Sequence, residues 1–322
     1  MPLAETFDLT SLQRFLPAGM KYFLKPYYRN VFKNRLHILL WPTFRCNYRC
    51  SYCTAVTKFD FATIFPRRAE RSAKEWIGAL EKLPPAMIYI AGRERMLYDP
   101  LPDLINQLPS KHRILGIVSN VSLPTRVFRK IRKPVHINAS FHREFVAEGE
   151  FIERVKELQE FFHVIVNIVA TPENIPVIAR IDDLMRKRNI SLHVDPLVDT
   201  EFIYTPEQIR ALKKYTQADR SSLVSFDDFS MKQCSAGRNY INLMPGGEVY
   251  TCAAGWSYTH SPLLRHVVNG SGVSQYSMGN LLDPDFRLNT ADVACSLPCK
   301  DACDRDSAIV KVIGPGRLPA AA

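Results

Sequence analysis

No apolar run in these 322 residues approaches the roughly 20 needed to cross a bilayer. The longest candidate, Ile38-Leu39-Leu40-Trp41, has strand length and stops at Pro42. The N-terminus lacks an uninterrupted apolar stretch followed by a small-residue cleavage site, which argues against secretion and for a cytoplasmic protein. Internal repeats and low-complexity tracts are missing too. Cysteine is absent from a stretch of 180 residues that separates two blocks, at 46, 50 and 53 and at 234, 252, 295, 299 and 303. Disulfide frameworks belong to small secreted chains and seldom distribute in this way. The blocks therefore point to ligation of a metal or cluster.

What remains is an ordinary globular composition, 46% hydrophobic and 23% charged, long enough for one large domain and a small one. The formal charge of +10 favours acidic partners such as nucleotides, phosphorylated sugars, phospholipid surfaces or nucleic acid. Residues 1–35 concentrate Lys21, Lys25, Arg29, Lys33 and Arg35 among Phe15, Tyr22, Phe23, Tyr27, Tyr28 and Phe32. Pro17 and Pro26 limit this segment to short helices. Its aromatic side is expected to pack on the main domain, with a membrane surface or anionic ligand as the second reading.

From residue 36 onward strand and helix patterns alternate. Strand-like runs fall at 36–44, 87–91, 114–118, 135–141, 164–170 and 191–196. Helical spacing marks Phe151, Ile152, Val155, Leu158 and Phe162, then Val177, Ile178, Ile181, Leu184 and Met185. Shorter helices are predicted at 72–83, 101–108 and 124–132, and another at 206–216. Six such units imply a parallel sheet with right-handed crossovers, either an open partial barrel or a doubly wound sheet. Function gathers at the carboxyl ends of such strands. The first cysteine block begins just there, after strand one.

That block reads Arg45-Cys-Asn-Tyr-Arg-Cys-Ser-Tyr-Cys-Thr54, a Cys-x3-Cys-x2-Cys spacing. Structural zinc takes four ligands and an ordinary cubane takes four cysteines. Three thiolates suggest a cluster with one iron left open for chemistry.

The triplet, with Asn47 after its first cysteine and Tyr52 before its last, resembles the radical S-adenosylmethionine superfamily. The resemblance implies a [4Fe–4S] cluster on Cys46, Cys50 and Cys53, with S-adenosylmethionine on the open iron. Cleavage of the sulfonium then gives a 5′-deoxyadenosyl radical that abstracts a substrate hydrogen. A flavodoxin- or ferredoxin-type donor would supply the electron. Ala91-Gly92-Arg93-Glu94 stands where the family usually has Gly-Gly-Glu-Pro. Gly92 and Glu94 carry the match, while Ala91 and Arg93 depart from it. Ser119-Asn120 ends strand three, where the family commonly has Thr-Asn-Gly. Ser140 ends strand four, where a serine often meets the cofactor, and Asn167 lies on strand five, another cofactor-facing region. A polar residue there is also an ordinary turn or cap. The implied fold is a partial (β/α)6 TIM-like barrel over 36–216. A small cysteine-rich α+β module over 217–313 and a disordered tail at 314–322 follow.

In the second block, Tyr240 to Cys252 reads as two short strands joined at Pro245-Gly246-Gly247. Cys234, twelve residues, Gly247, four residues and Cys252 look like the opening of a SPASM/twitch extension. A full extension has seven cysteines and two clusters. The five here imply one auxiliary [4Fe–4S] cluster on Cys234, Cys252 and two of Cys295, Cys299 and Cys303. Spacing alone leaves a structural zinc site open.

His136 and His163 are expected to be packed or exposed without a role in chemistry. His142, His193, Asp195 and Asp199 lie near the expected mouth and are candidates for substrate binding or proton transfer. The leading expectation is a radical enzyme acting on a sugar, nucleoside or phosphorylated small molecule by oxidation, epimerisation or decarboxylation. The alternative is a maturase of a ribosomally made peptide. It ranks second because only 45 residues precede Cys46 and they do not alternate like a leader-binding winged helix. A non-catalytic metal-bound binder of nucleic acid or membrane is the reading from another class, with nucleic acid the less favoured partner.

Overall fold

The computed structural model describes residues 35–53, 70–197, 202, 204–212, 215, 232–260 and 276–295. The N-terminal segment before residue 35, Asp199, Cys299, Cys303 and the tail lie outside the described residues.

Six parallel strands form the body: β1 (Leu36–Leu40), β2 (Ala86–Ile90), β3 (Arg113–Ser119), β4 (His136–Ser140), β5 (His163–Ala170) and β6 (Ser191–Pro196). Between them run α1 (Ala73–Glu81), α2 (Leu101–Gln107), α3 (Thr125–Phe128), α4 (Glu148–Gln159) and α5 (Ile178–Arg186). The expected boundaries hold within a few residues, except that β1 stops at Leu40, short of residue 44, and α3 is a single turn.

The sequence sets each element by pattern and cap. Along β5, Val164, Val166, Ile168 and Ala170 are buried while His163, Ile165, Asn167 and Val169 are half-buried on the other face. The first set meets helices whose apolar stripes are Phe151, Ile152, Val155 and Leu158 on α4 and Ile178, Ile181 and Met185 on α5. Helix α1 begins with a capping box in which Ser72 and Glu75 bond each other's backbone N–H groups. It buries Trp76, Ala79 and Leu80.

The sheet does not end at β1. After α6 (Pro206–Leu212) and β7 (Lys232–Cys234) come β8 (Tyr240–Leu243) and β9 (Glu248–Tyr250). Helix α7 (Ala253–His260), β10 (Ser277–Asn280) and β11 (Val293–Cys295) follow. Strand β8 pairs parallel with β1, and β9 and β10 follow it antiparallel, giving the order β10-β9-β8-β1-β2-β3-β4-β5-β6. The sheet is open, a partial barrel. Strands β7 and β11 form a separate antiparallel pair.

Gly247 makes the β8–β9 turn possible. Its φ is +92°, and a Cβ there would sit 2.1 Å from Leu282 and 2.5 Å from Asn280.

Candidate active site

The chain leaves β1 into a loop fixed on several sides. Buried Thr43 bonds Glu70 through its hydroxyl. Arg45 grips both oxygens of Glu70 at 3.0 Å, a bidentate geometry that sets direction as well as charge. The Arg45 carbonyl accepts the Glu94 N–H at 2.9 Å. The three cysteines follow at once.

The Cys46 sulfur accepts the Tyr48 N–H at 3.4 Å, and the Cys53 N–H donates to the Cys50 carbonyl at 3.0 Å. Burial pushes the Cys50 thiol up to about 12, reinforced by the nearby Cys53, Glu144 and Cys46. Burial also raises Cys46, against the Tyr48 N–H. The thiols thus lie within one another's field, where an added cation would stabilise the thiolate form. Among the described residues no three His, Cys, Asp or Glu side chains are gathered for a metal. The donor set still fits: three soft sulfurs on one short loop suit an iron–sulfur group better than a hard cation.

The β4–α4 connection clamps this loop. Nδ1 of His142 lies 2.7 Å from the Tyr52 hydroxyl and 3.3 Å from Cys50 Sγ. Burial drives His142 down to about 4, with Arg95 helping and Glu144 opposing, so the ring is neutral at pH 7. Glu144 accepts the Ser51 N–H at 2.9 Å and the Ser51 hydroxyl at 2.6 Å. Tyr48 stacks on Phe145 with centroids 4.6 Å apart.

The ends of β2 and β3 close another side. Gly92 has φ +114°, and a Cβ would meet the Thr43 carbonyl at 3.2 Å. The guanidinium of buried Arg95 donates to the carbonyls of Gly92 and Arg93. Glu94 is fully buried. Its oxygens accept Met96 N–H at 3.0 Å, the Ser119 hydroxyl at 2.9 Å and Asn120 N–H at 2.6 Å. The Glu94 carboxyl therefore joins β2 to β3. Asn120 then donates to Asn47 at 2.9 Å, and Asn47 to Ser122 at 2.8 Å. Val121 adopts φ +47°, a costly conformation for a β-branched residue, held by its N–H bond to Ser119 Oγ at 3.0 Å.

Deeper in the sheet, Ser140 and Asn167 are register partners on β4 and β5. Asn167 donates to Asp195 at 3.3 Å, and His193 Nε2 lies 3.1 Å from the same carboxylate. Sequence reasoning missed two neighbours, Tyr89 and Asn138, which bond side chain to side chain. Burial pushes Tyr89 up to about 12. Their signal was strand parity: both alternate with apolar residues on the helix-facing side.

At the second block, Cys234 and Cys295 are buried and Cys252 half-buried. The pairing of Val293 with Cys234 and Cys295 with Lys232 puts both cysteines diagonally on one face of the β7–β11 ribbon. The Cys252 sulfur accepts the Gly255 N–H at 3.1 Å. No disulfide joins the six described cysteines. Phe44, just before Cys46, stacks on Trp256, just after Cys252, with centroids 5.5 Å apart.

No family model matches the chain, and no curated protein matches it in sequence. Solved structures do. Streptococcus suis SuiB bound to S-adenosylmethionine aligns with TM-score 0.52 and 17% identity, over 83% of this chain and 67% of SuiB. Native anSMEcpe with bound AdoMet and the Cp18Cys peptide aligns with TM-score 0.53 and 12% identity, over 77% of this chain and 78% of that one. SuiB bound to its precursor peptide SuiA gives TM-score 0.52 at 17% identity, over 83% of this chain and 68% of SuiB. Both proteins are radical S-adenosylmethionine enzymes of SPASM/twitch type.

This chain shares the open partial-barrel fold of those enzymes.

Within that fold Cys46, Cys50 and Cys53 follow β1, and Gly92, Glu94, Ser119 and Asn120 are bonded around the same loop or to one another. His142 belongs to this group. Asn167, His193 and Asp195 form a second cluster. No helix among the described residues is long and apolar enough to cross a membrane.

Proposed function

We propose that this chain is a radical S-adenosylmethionine enzyme that modifies a peptide. The observation that carries this reading is the Cys-x3-Cys-x2-Cys loop after β1, bonded to the ends of β3 and β4 in a fold shared with two enzymes solved with peptides. Bound there, a [4Fe–4S] cluster and S-adenosylmethionine would supply the electron and the hydrogen-abstracting radical. Cys46, Cys50 and Cys53 hold the cluster. Gly92 lets the backbone approach the cofactor, while Glu94, Ser119 and Asn120 fix the shape of that wall. Ser140 and Asn167 line the inner face toward it.

The peptide reading is preferred here to the sugar, nucleoside or phosphorylated small molecule expected from the sequence, because two neighbours were solved with peptides. Asp195, bonded to His193 and Asn167, is the carboxylate suited to bind a donor group or take a proton. Cys234, Cys252 and Cys295 hold an auxiliary [4Fe–4S] cluster, with Cys299 or Cys303 as the fourth ligand. The shared face of Cys234 and Cys295 favours Cys295. Residues 36–216 would serve the cofactor and 217–313 the auxiliary cluster. A flavodoxin- or ferredoxin-type donor and a reducing cytoplasm suit these thiolates.

Anaerobic purification followed by iron and sulfide analysis tests the cluster. Incubation with deuterium-labelled peptide should place label in 5′-deoxyadenosine. Zinc without iron would overturn the radical chemistry, and label transfer only from small molecules would overturn the peptide.

A further inference from the structure

A different cavity opens at the other end of the same strands. His136 begins β4 and His163 begins β5, and both line a cavity of about 560 Å³ with the connections that precede them. That volume suits one small organic ligand. Ser140 closes β4 four residues on, roughly 13 Å away at the usual strand rise. The cavity therefore lies at the opposite end of the strands from the cysteine loop.

Its lining is cationic. Arg129, Arg132 and Lys133 face it against a single carboxylate, Glu160. Lys133 is held at the rim by donating to the Leu108 carbonyl at 2.5 Å. Two imidazoles meet in the same lining, with His136 Nδ1 3.2 Å from His163 Nδ1 and the rings edge to face at 4.8 Å. Among the described residues only Phe145 and Phe161 are exposed large apolar side chains. Phe161 lines this cavity, with the Arg129 guanidinium 4.6 Å from its ring centre.

Guanidinium cations recognise a phosphate through charge-assisted bonds, and an imidazole N–H can add a neutral donor. An aromatic ring beside a guanidinium gives a flat apolar body a surface to lie on. A carboxylate or free phosphate would use only the first half of this lining.

We propose that the cavity at the amino ends of β4 and β5 binds a nucleotide. Its phosphate is held by Arg129 and Arg132, with one imidazole N–H as a further donor, and its base lies against Phe161. The site is separate from the radical chemistry and stands or falls without it.

Calorimetric titration of the full chain with adenosine 5′-monophosphate, adenosine and inorganic phosphate tests this, with and without S-adenosylmethionine. The monophosphate should bind at least about tenfold more tightly than either fragment. S-adenosylmethionine should not displace it. The double variant Arg129→Gln/Arg132→Gln should weaken the monophosphate about tenfold or more at an unchanged melting temperature. Phe161→Leu should weaken the monophosphate and leave phosphate unchanged, which keeps the test open if the double variant melts early. Four results would overturn the proposal: no binding, equal binding of phosphate, unchanged affinity in the variants, or displacement by S-adenosylmethionine.

Discussion

The Tyr52 hydroxyl lies 2.7 Å from Nδ1 of His142, joining the cysteine loop to the end of β4. Both groups are buried enough to shift: Tyr52 upward by burial and by nearby Cys50 and Glu144, His142 downward by burial. Tyr52→Phe removes one partner inside the protein. The expected loss is about 1–3 kcal/mol of stability, read by urea unfolding of the cluster-free chain. An unchanged midpoint would show that the contact holds nothing in place.

Glu94 has three donors around one carboxylate. Glu94→Ala strands two backbone N–H groups and the Ser119 hydroxyl, and should cost more than about 3 kcal/mol. Glu94→Gln keeps an acceptor on one side and should lose less. Chemical denaturation of both variants gives the comparison, and equal losses would refute the bridging role.

At Gly92 the backbone itself is the feature proposed to meet the cofactor. Gly92→Ala forces a Cβ toward the Thr43 carbonyl at a positive φ, a strain of about 1–3 kcal/mol. S-adenosylmethionine affinity, measured by equilibrium dialysis on the reconstituted protein, should fall. Retained affinity would remove Gly92 from the cofactor wall.

Replacing Cys46, Cys50 and Cys53 together by Ala should remove about four irons per chain and end 5′-deoxyadenosine formation. Replacing Cys234 and Cys252 should remove a similar amount of iron while leaving some cofactor cleavage. Equal iron in either variant and the parent would contradict the corresponding cluster.

The Arg180 guanidinium holds Glu148 below the usual carboxylate range, tying α5 to the start of α4 through bonds of 2.6 and 2.7 Å. A depressed carboxyl contributes stability above its unfolded value and loses it as pH falls through its folded one. Arg180→Ala should therefore destabilise by about 0.5 kcal/mol at pH 7 and by nothing measurable well below about pH 4. Thermal melts at both pH values check the sign.

Much of this was legible in the sequence because strands and helices announce themselves by period. The apolar, β-branched run at 164–170 and the helical spacing from Phe151 to Leu158 placed β5 and α4 to within a residue or two. The cysteine spacing carried the iron–sulfur chemistry proposed for it. Partners were not legible. Nothing local to Glu94 says that its carboxylate ends on Ser119 and Asn120, or that His142 reaches Tyr52, since these contacts span 25 to 90 residues. Nor did the pattern of Tyr240–Leu243 say which strand it would join. An apolar run specifies that it needs a partner, and only the assembled sheet specifies which one.

That choice of partner has a practical consequence. Because Tyr240–Leu243 bonds along His37–Leu40, cutting the chain between its two cysteine blocks would bare one side of the central apolar strand. An unpaired strand of Leu-His-Ile-Leu-Leu is a template for self-association. The barrel half should therefore express as aggregate on its own and recover solubility when the C-terminal half is supplied in trans.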